Sequence, residues 1–407
     1  MKTSPSSRAR LWTCYGGMMC VAVAVNLPPV YLTTFSETFG GDAGLTAEQL
    51  GRIPAFLFAA LTLGILISGP LADRWGAKRF AVLGPALVVG GLALMGLARS
   101  YGMLLAAALV AGTGVGILDM ILSPIVSVLE PHRRAAAMNL LHAFFCIGAV
   151  LTVVIASTAL ARDVPWRAVF LVATLLPVAV TIGFAVMPIP KLTGHTGDRE
   201  RARHLLRRGL FLALLAVIFL GGAAEAGIAQ WLPAFAETEL DMTKSAAGHT
   251  LAAFLFVMAL GRLATAAVAH RVGPVRLLLG GCIAAAGCYA VACFVPVVPV
   301  ALAGAVGIGL AVSCFWPTVL ALSGDHFVGG GATMFALLAA VGNAGCFTMP
   351  WLVGIIAQVS AIRIGLAVAG ACPVLMGVLL WRMRKKLSDP VVSMSGRVGF
   401  VSDSVPS

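Results

Sequence analysis

The chain has 407 residues, of which 60% are hydrophobic and only 11% charged, against about 25% charged in an ordinary soluble domain. With a mean hydropathy of +0.98, this composition excludes a water-soluble globular protein and places the chain in a bilayer. The balance of 28 Lys and Arg against 16 Asp and Glu gives a net charge of +12, and where those charges fall decides what the excess means.

The basic leader "MKTSPSSRAR" runs into an apolar stretch with no clear small-residue cleavage site. It reads as a retained first span, 11–33, that also targets the chain. Pro28 and Pro29 inside it break the helix locally and free carbonyls. Further apolar runs follow at 50–71, 80–98, 102–129, 136–160 and 167–187, then at 209–233, 248–269, 276–295, 298–322, 332–357 and 362–381. Runs of about 20 residues are long enough to cross a bilayer as helices. The short alternating strands of an outer-membrane barrel are absent. The predicted fold is therefore an all-α membrane protein with twelve transmembrane helices. The longest polar connection, "PIPKLTGHTGDRERARHLLRR", divides it. This gives an N-terminal six-helix bundle (1–187), a linker (188–208), a C-terminal six-helix bundle (209–381) and a flexible Ser/Val/Gly-rich tail (382–407).

Twelve spans put both termini on one face. Of the basic residues, only Arg52, Arg99, Arg162, Arg167, Lys244 and Arg363 fall on the other face, and Arg262 lies within a span. The positive-inside rule then places both termini in the cytoplasm of a multi-pass cell-membrane protein, the inner membrane if the cell is Gram-negative. The positive charge is topological, and nucleic acid is not a partner. The nine cysteines fall mostly inside apolar runs without metal spacing, which makes them packing residues and not a disulfide framework.

The two halves repeat each other. "DRWGAKR" (Asp73–Arg79) after the second span is matched by "HRVGPVR" (His270–Arg276) after the eighth. At the same offset Thr46 meets Thr243 and Gly51 meets Gly248. "GVGILDMILSP" in the fourth span and "GIGLAVSCFWP" in the tenth align Gly114 with Gly307, Gly116 with Gly309 and Pro124 with Pro317. Parallel repeats of six spans are a transporter plan, with the substrate held between the halves near the bilayer midplane.

"GPLADRWGAKR" (Gly69–Arg79) resembles the signature loop of the major facilitator superfamily, and the weaker copy at His270–Arg276 is also usual there; the resemblance covers Leu11 to Trp381. "GVGILDMILSPIVSVLEPHRRAAAMNLLHAFFCIGAV" is similar to the fourth and fifth spans of the fucose:proton symporter branch, which includes the sodium-dependent glucose transporter-like proteins. "GGAAEAGIAQWLPAFAE" and "FWPTVLAL" resemble that branch's seventh and tenth spans. The resemblance implies two pseudo-symmetric bundles, alternating access, and symport of a sugar with a proton or sodium ion. Fucose-type members carry an acidic residue in the first span, in an N-L-N-D context. Here the stretch is "NLPP" (Asn26–Pro29), so that carboxylate is missing.

A charge at the bilayer centre costs about 2.5–3.5 kcal/mol on insertion scales, so a chain that keeps one there has a use for it. Asp119 and Glu225 lie deep in their spans. Each is a candidate for ion coupling, by exchanging a proton or binding sodium. Each is also a candidate for accepting hydrogen bonds from solute hydroxyls; a structural bond to a neighbouring helix is the alternative. Arg262 either pairs with Glu225, snorkels to the interface or binds an anionic solute. Asn139, His142 and Cys146, at i, i+3 and i+7, share one helical face. Asn139 and His142 either bind solute hydroxyls or join helices. Trp231 and Trp316, the latter before Pro317 in mid-span, are candidate aromatic platforms for a sugar. Trp231 lies near the outer end of its span, where aromatic belts form. Asn26 and Asn343 complete the solute-binding set.

In the signature loop, Asp73 with Arg74 and Arg79 can join helix ends by charge-assisted hydrogen bonds, while Gly69 and Gly76 let backbones approach. Either this is a gate that holds the outward-open state, or Arg74, Lys78 and Arg79 serve only topology. No nucleophile elbow, P-loop or Cys/His metal spacing is present. The chain reads as a monomeric secondary transporter, without cofactor or enzymatic activity, whose partners are a small-molecule solute, a proton or sodium ion and the bilayer. A proton-driven drug or metabolite exporter of the same fold is the alternative. A membrane sensor would need a folded signalling domain that the linker and tail are too short to supply.

Overall fold

The computed structural model describes residues 5–189, 202–327 and 331–388, among which there is no strand. Twelve helical spans are long and apolar enough to cross a bilayer. They are α1 (Arg8–Phe39), α2 (Ala47–Ala72), α3 (Ala77–Gly96), α4 (Tyr101–Leu129), α5 (Ala137–Ala161), α6 (Trp166–Val186), α7 (Gly209–Glu239), α8 (Lys244–Ala269), α9 (Pro274–Phe294), α10 (Val298–His326), α11 (Thr333–Val359) and α12 (Ile362–Leu387). Odd-numbered spans leave the face that carries both ends of the described chain, here the terminal face, and even-numbered spans return to it.

Some spans are broken, and the sequence explains where. In α1 the chain tightens into a 3-10 turn at Pro28–Tyr31, as the double proline requires. In α10 the α-helix stops at Val312 and restarts at Phe315. Pro317 has no N–H to offer the carbonyl of Ser313, so the break falls one turn ahead of it. The last helix continues to Ser388. Residues 382–388 are therefore helical and not part of a flexible tail. Arg382, Arg384, Lys385 and Lys386 form helix readily and place positive charge at a helix C-terminus, where it is favoured. The linker holds one short helix, Ala202–Leu205; its residues 190–201, like the tail from 389 on, lie outside the described residues.

The internal repeat is visible in backbone geometry. Thr46 and Thr243 both cap a helix N-terminus through their side-chain oxygens. Gly76 and Gly273 both sit at positive φ, +88° and +84°, between consecutive helices. Only glycine adopts this conformation without strain, so both loops keep one.

The two bundles meet along two seams, α2 on α11 and α5 on α8, with the 3-10 turn of α1 lying against α7 and α8. Both seams are tight at the face opposite the termini. A Cβ on Gly51 of α2 would stand 2.8 Å from the Pro350 carbonyl oxygen and 3.1 Å from the Trp351 Cα. A Cβ on Gly248 of α8 would run into the Ser157 Oγ of α5. Thus the glycines that pair in the repeat are both points of close approach between the halves. Polar contacts join the halves at the same face. The Thr33 hydroxyl donates to Glu237 at 2.7 Å, Lys244 pairs with Glu37 at 2.5 Å, and the Ser245 hydroxyl donates to the Ser157 carbonyl at 2.8 Å. The Trp351 N–H donates to Glu48 at 2.6 Å.

Toward the terminal face the halves separate, and one face of α5 records it. At helical spacing, Asn139, His142, Cys146, Ala149, Val153 and Ser157 line that face. Asn139 and His142 are exposed, Cys146 is half-buried, and Ala149, Val153 and Ser157 are fully buried. The α5–α8 seam is closed toward the face opposite the termini and open toward the terminal face.

Candidate functional site

Where the α5–α8 seam stops being dry, four side chains from three spans meet. Arg262 of α8 holds Glu225 of α7 by a single contact, Nη2 to Oε1, at 3.5 Å. Good charge-assisted bonds are 2.7–2.9 Å long and an Arg–carboxylate pair is commonly bidentate, so this pair is loose. The other guanidinium contacts are with sulfur: Nη1 to Cys146 Sγ of α5 at 3.8 Å, and Nη2 to Met258 Sδ at 3.9 Å. Sulfur is a weak acceptor. Among the described residues, Arg262 Nε and Glu225 Oε2 are buried without a hydrogen-bond partner. His142 lies on the exposed part of the α5 face, one turn from Cys146. The Arg262 and Glu225 side chains remain 26% and 19% exposed. The cluster therefore borders the open side and spans both halves.

Behind it, α7, α10 and α11 pack closely. A Cβ on Gly222 would run into the Gly342 carbonyl, and one on Gly342 would stand 2.5 Å from the Trp316 ring. The ring of half-buried Trp316 thus lies against the α11 turn that carries Asn343. Asn343 and Asn26 are both buried, and each donates its amide N–H to the carbonyl four residues earlier in its own helix, at 2.9 Å. Trp231 is neither a lipid-facing belt residue nor a ligand platform. It is fully buried and donates its N–H to the Pro350 carbonyl at 2.8 Å, as a buried indole requires.

Asp119 is half-buried in α4. The exposed stripe of that helix runs through Gly102, Ala106, Leu109 and Val128, and at 100° per residue Asp119 lies roughly 120° away from its centre. It sits between the stripe that meets α1 (Leu118 and Leu122 against Gly17) and the stripe that meets α2 (Gly116 against Leu61, Met120 against Gly69). Among the described residues it has no hydrogen-bond or ion-pair partner. In the signature loop the side chains of Arg74 and Arg79 are exposed, and Gly69 meets the Met120 methyl. The Asp73 side chain lies outside the described residues.

A hollow of about 800 Å³ opens at the face opposite the termini, lined by Thr34, Asp163, Trp166, Lys244 and His249 among others. None of the sequence-predicted site residues lines it. The contacts that close this face, Glu37–Lys244, Thr33–Glu237 and Glu48–Trp351, carry no signal in the sequence that pairs them. The nearest is the match of Gly51 with Gly248, which marks the positions where helices touch but not their partners.

The family described as the Major Facilitator Superfamily matches residues 14–329 and, again, 237–402. An MFS-type transporter of Yersinia pestis is 24% identical over 82% of this chain and 85% of its own length. The xylose transporter XylE from E. coli, in a partially occluded inward-open conformation, superposes with a TM-score of 0.76 over 93% of this chain and 98% of its own, at 14% identity. FucP in its outward conformation superposes with a TM-score of 0.66 over 94% of this chain and 100% of its own, at 19% identity. Both structural likenesses are likenesses of fold.

Proposed function

Because the chain belongs to the major facilitator superfamily and is a multi-pass membrane transporter, not an enzyme, we propose that it is a secondary active carrier. It moves a small polar solute by alternating access, driven by a proton or sodium gradient, with both termini in the cytoplasm. The observation that carries this reading is the loose Glu225–Arg262 pair, set within the spans at the border between a closed seam and an open one. An intramembrane ion pair that served packing alone would be fully satisfied, since an unsatisfied charge is costly there. Asp119, turned away from the exposed stripe of α4 and without a described partner, is the second coupling group. A sugar is the solute class that the fucose-branch resemblance implies. The hydroxyl-bearing side of such a solute would meet Asn139 and His142 on the open face of α5, with Trp316 and Asn343 in the wall behind. The domains of the carrier are the two bundles, 1–187 and 209 to the end of the last helix at Ser388, joined by the linker.

The test is uptake by the purified protein in proteoliposomes under an imposed proton or sodium gradient, with radiolabelled xylose, glucose and gluconate as probes. The expected result is accumulation of one of them above its equilibrium level, abolished when an ionophore collapses the gradient. Uptake of all three that never exceeds empty liposomes under either gradient refutes the reading. The exporter alternative has one observation in its favour. The wall at Arg262 is built of Cys146 and Met258, soft side chains that suit varied apolar ligands. Extrusion of a lipophilic cation under a pH gradient, with no response to the three probes, would select it.

A further inference from the structure

We propose that the solute carries a carboxylate, and that Glu225 occupies Arg262 as an internal stand-in for it until the solute arrives. This rests on the carrier reading above and names the chemistry of its solute.

Arg262 carries a positive charge, five N–H donors and no acceptor. It receives one oxygen contact, at 3.5 Å, and two sulfur contacts at 3.8 and 3.9 Å. Nε has no partner among the described residues. What is missing is an acceptor for the edge formed by Nε and one Nη, the edge that a carboxylate binds as a fork. A neutral sugar would supply hydroxyl oxygens but could not replace the Glu225 carboxylate as counter-charge once Glu225 is protonated. On the other side of the pair, Glu225 Oε2 also lacks a partner, so the carboxylate is held by one weak bond and is readily displaced. The cluster borders the open half of the α5–α8 seam, where the helix face at His142 and Asn139 is exposed, so a solute from the terminal face can reach it.

The exchange balances in charge. With Glu225 ionised, the pair is neutral and a second anion is repelled. When Glu225 takes a proton, the remaining positive charge of Arg262 matches one carboxylate. One proton and one monocarboxylate then travel together, with no covalent step. The titratable groups around Glu225 are Arg262 of α8, Cys346 of α11 and Tyr289 of α9; His142 of α5 lies one turn from Cys146, which contacts Arg262 from the other half. Of these, His142 can also carry a proton and would favour an anion when protonated, so it needs its own control.

The experiment measures binding to the full-length purified protein in detergent by titration calorimetry, at pH 6 and pH 8. The probes are two matched pairs, gluconate with glucose and benzoate with benzamide. The carboxylates are expected to bind, more tightly at pH 6 than at pH 8, and their neutral partners are not. Arg262→Gln should weaken carboxylate binding about ten- to hundred-fold. Arg262→Lys, which keeps the charge but loses the fork, should weaken it less and retain the pH dependence. Glu225→Gln should bind at pH 8 as tightly as the native protein does at pH 6, with the pH dependence flattened. His142→Gln should keep that dependence. The inference is overturned if neither carboxylate binds, if the neutral partners bind as well, if Arg262→Gln binds like the native protein, or if Glu225→Gln keeps the native pH dependence. Should Glu225→Gln fail to fold, the two Arg262 variants and the matched pairs still decide. The uptake assay fails separately. Gluconate binding without gradient-driven uptake sinks the carrier reading alone, and accumulation of glucose with no carboxylate binding sinks this inference alone.

Discussion

Replacing Gly51 with alanine adds one methyl group at a tight point of the α2–α11 seam. Its Cβ would stand 2.8 Å from the Pro350 oxygen and 3.1 Å from the Trp351 Cα. Both atoms are backbone, so no side chain can rotate away and the helices must part by several tenths of an ångström. Forcing a methyl into a packed contact costs about 1–3 kcal/mol. The clash exists only while this face is closed, so the cost falls on one state of the carrier. A bias of that size shifts a two-state equilibrium roughly 5- to 150-fold. The reporter position is Ser157, fully buried in the other seam. The thiol of Ser157→Cys should react with a maleimide only when the face opens. Cys146 and Cys288, the half-buried native thiols, are replaced by serine for the assay. Adding Gly51→Ala to the Ser157→Cys reporter should raise its labelling rate by at least about fivefold, the lower end of that shift. Gly280→Ala is the control, because a Cβ there meets nothing within 4 Å. Equal labelling rates with Gly51→Ala and Gly280→Ala would show that the seam at Gly51 does not govern opening.

Asp119→Asn should abolish gradient-driven accumulation while leaving counterflow exchange intact, and accumulation equal to the native protein would remove Asp119 from coupling. Lys244→Met removes a pair whose partners are 31% and 65% exposed. An exposed pair contributes at most about 1 kcal/mol and is screened by salt. Labelling of the Ser157→Cys reporter should therefore rise a few-fold with Lys244→Met at low ionic strength and converge with the rate of the reporter alone at high salt. Tyr289→Phe deletes a buried hydroxyl that donates to the Ala224 carbonyl at 2.5 Å. It should cost about 1 kcal/mol, read as a fall of about 1–3 °C in Tm.

Much of the fold is legible because its signals are local. A run of apolar residues becomes a helix wherever it lies in a bilayer, and Pro28–Pro29 break α1 where the sequence places them. The repeat carries over into the shared caps at Thr46 and Thr243 and the paired loop glycines at positive φ. The site is legible only as a set of unusual residues. Asp119, Glu225 and Arg262 are conspicuous because charge is scarce in the spans, and pairing of Glu225 with Arg262 is one of the alternatives open from sequence. That the pair is loose depends on backbone positions no pattern encodes. Asn26 and Asn343 look the same in sequence whether they face a solute or, as here, donate to their own helix. Trp231 near a span end reads as a belt residue, although its N–H is taken by Pro350 across the α7–α11 contact. The contacts that close one face join residues far apart in the chain, 204 positions for Thr33 with Glu237 and 303 for Glu48 with Trp351, and their pairing follows from how the bundles dock.

Docking also explains why the Arg262 cluster is placed to couple binding to rocking. A ligand shifts a conformational equilibrium only as far as its affinity differs between the states. Arg262 already touches the opposite half through Cys146, one turn from the point where the α5 face passes from buried to exposed. If the halves rock so that the terminal face closes, the exposed turn of α5 with His142 and Asn139 must approach α8, bringing two more polar groups to a solute held at Arg262. Without a solute, the same closure would press His142 toward a guanidinium whose only described oxygen partner is a distant carboxylate. Occupied and empty carriers therefore differ in how readily this face closes, and the sign is the one coupled transport requires: the solute supplies the missing acceptor and favours the closed seam. The prediction is specific. The thiol of Asn139→Cys should be labelled more slowly when gluconate is bound, and adding Arg262→Gln should erase the difference. Protection that persists with Arg262→Gln would place the coupling elsewhere, with Asp119 the next group to test.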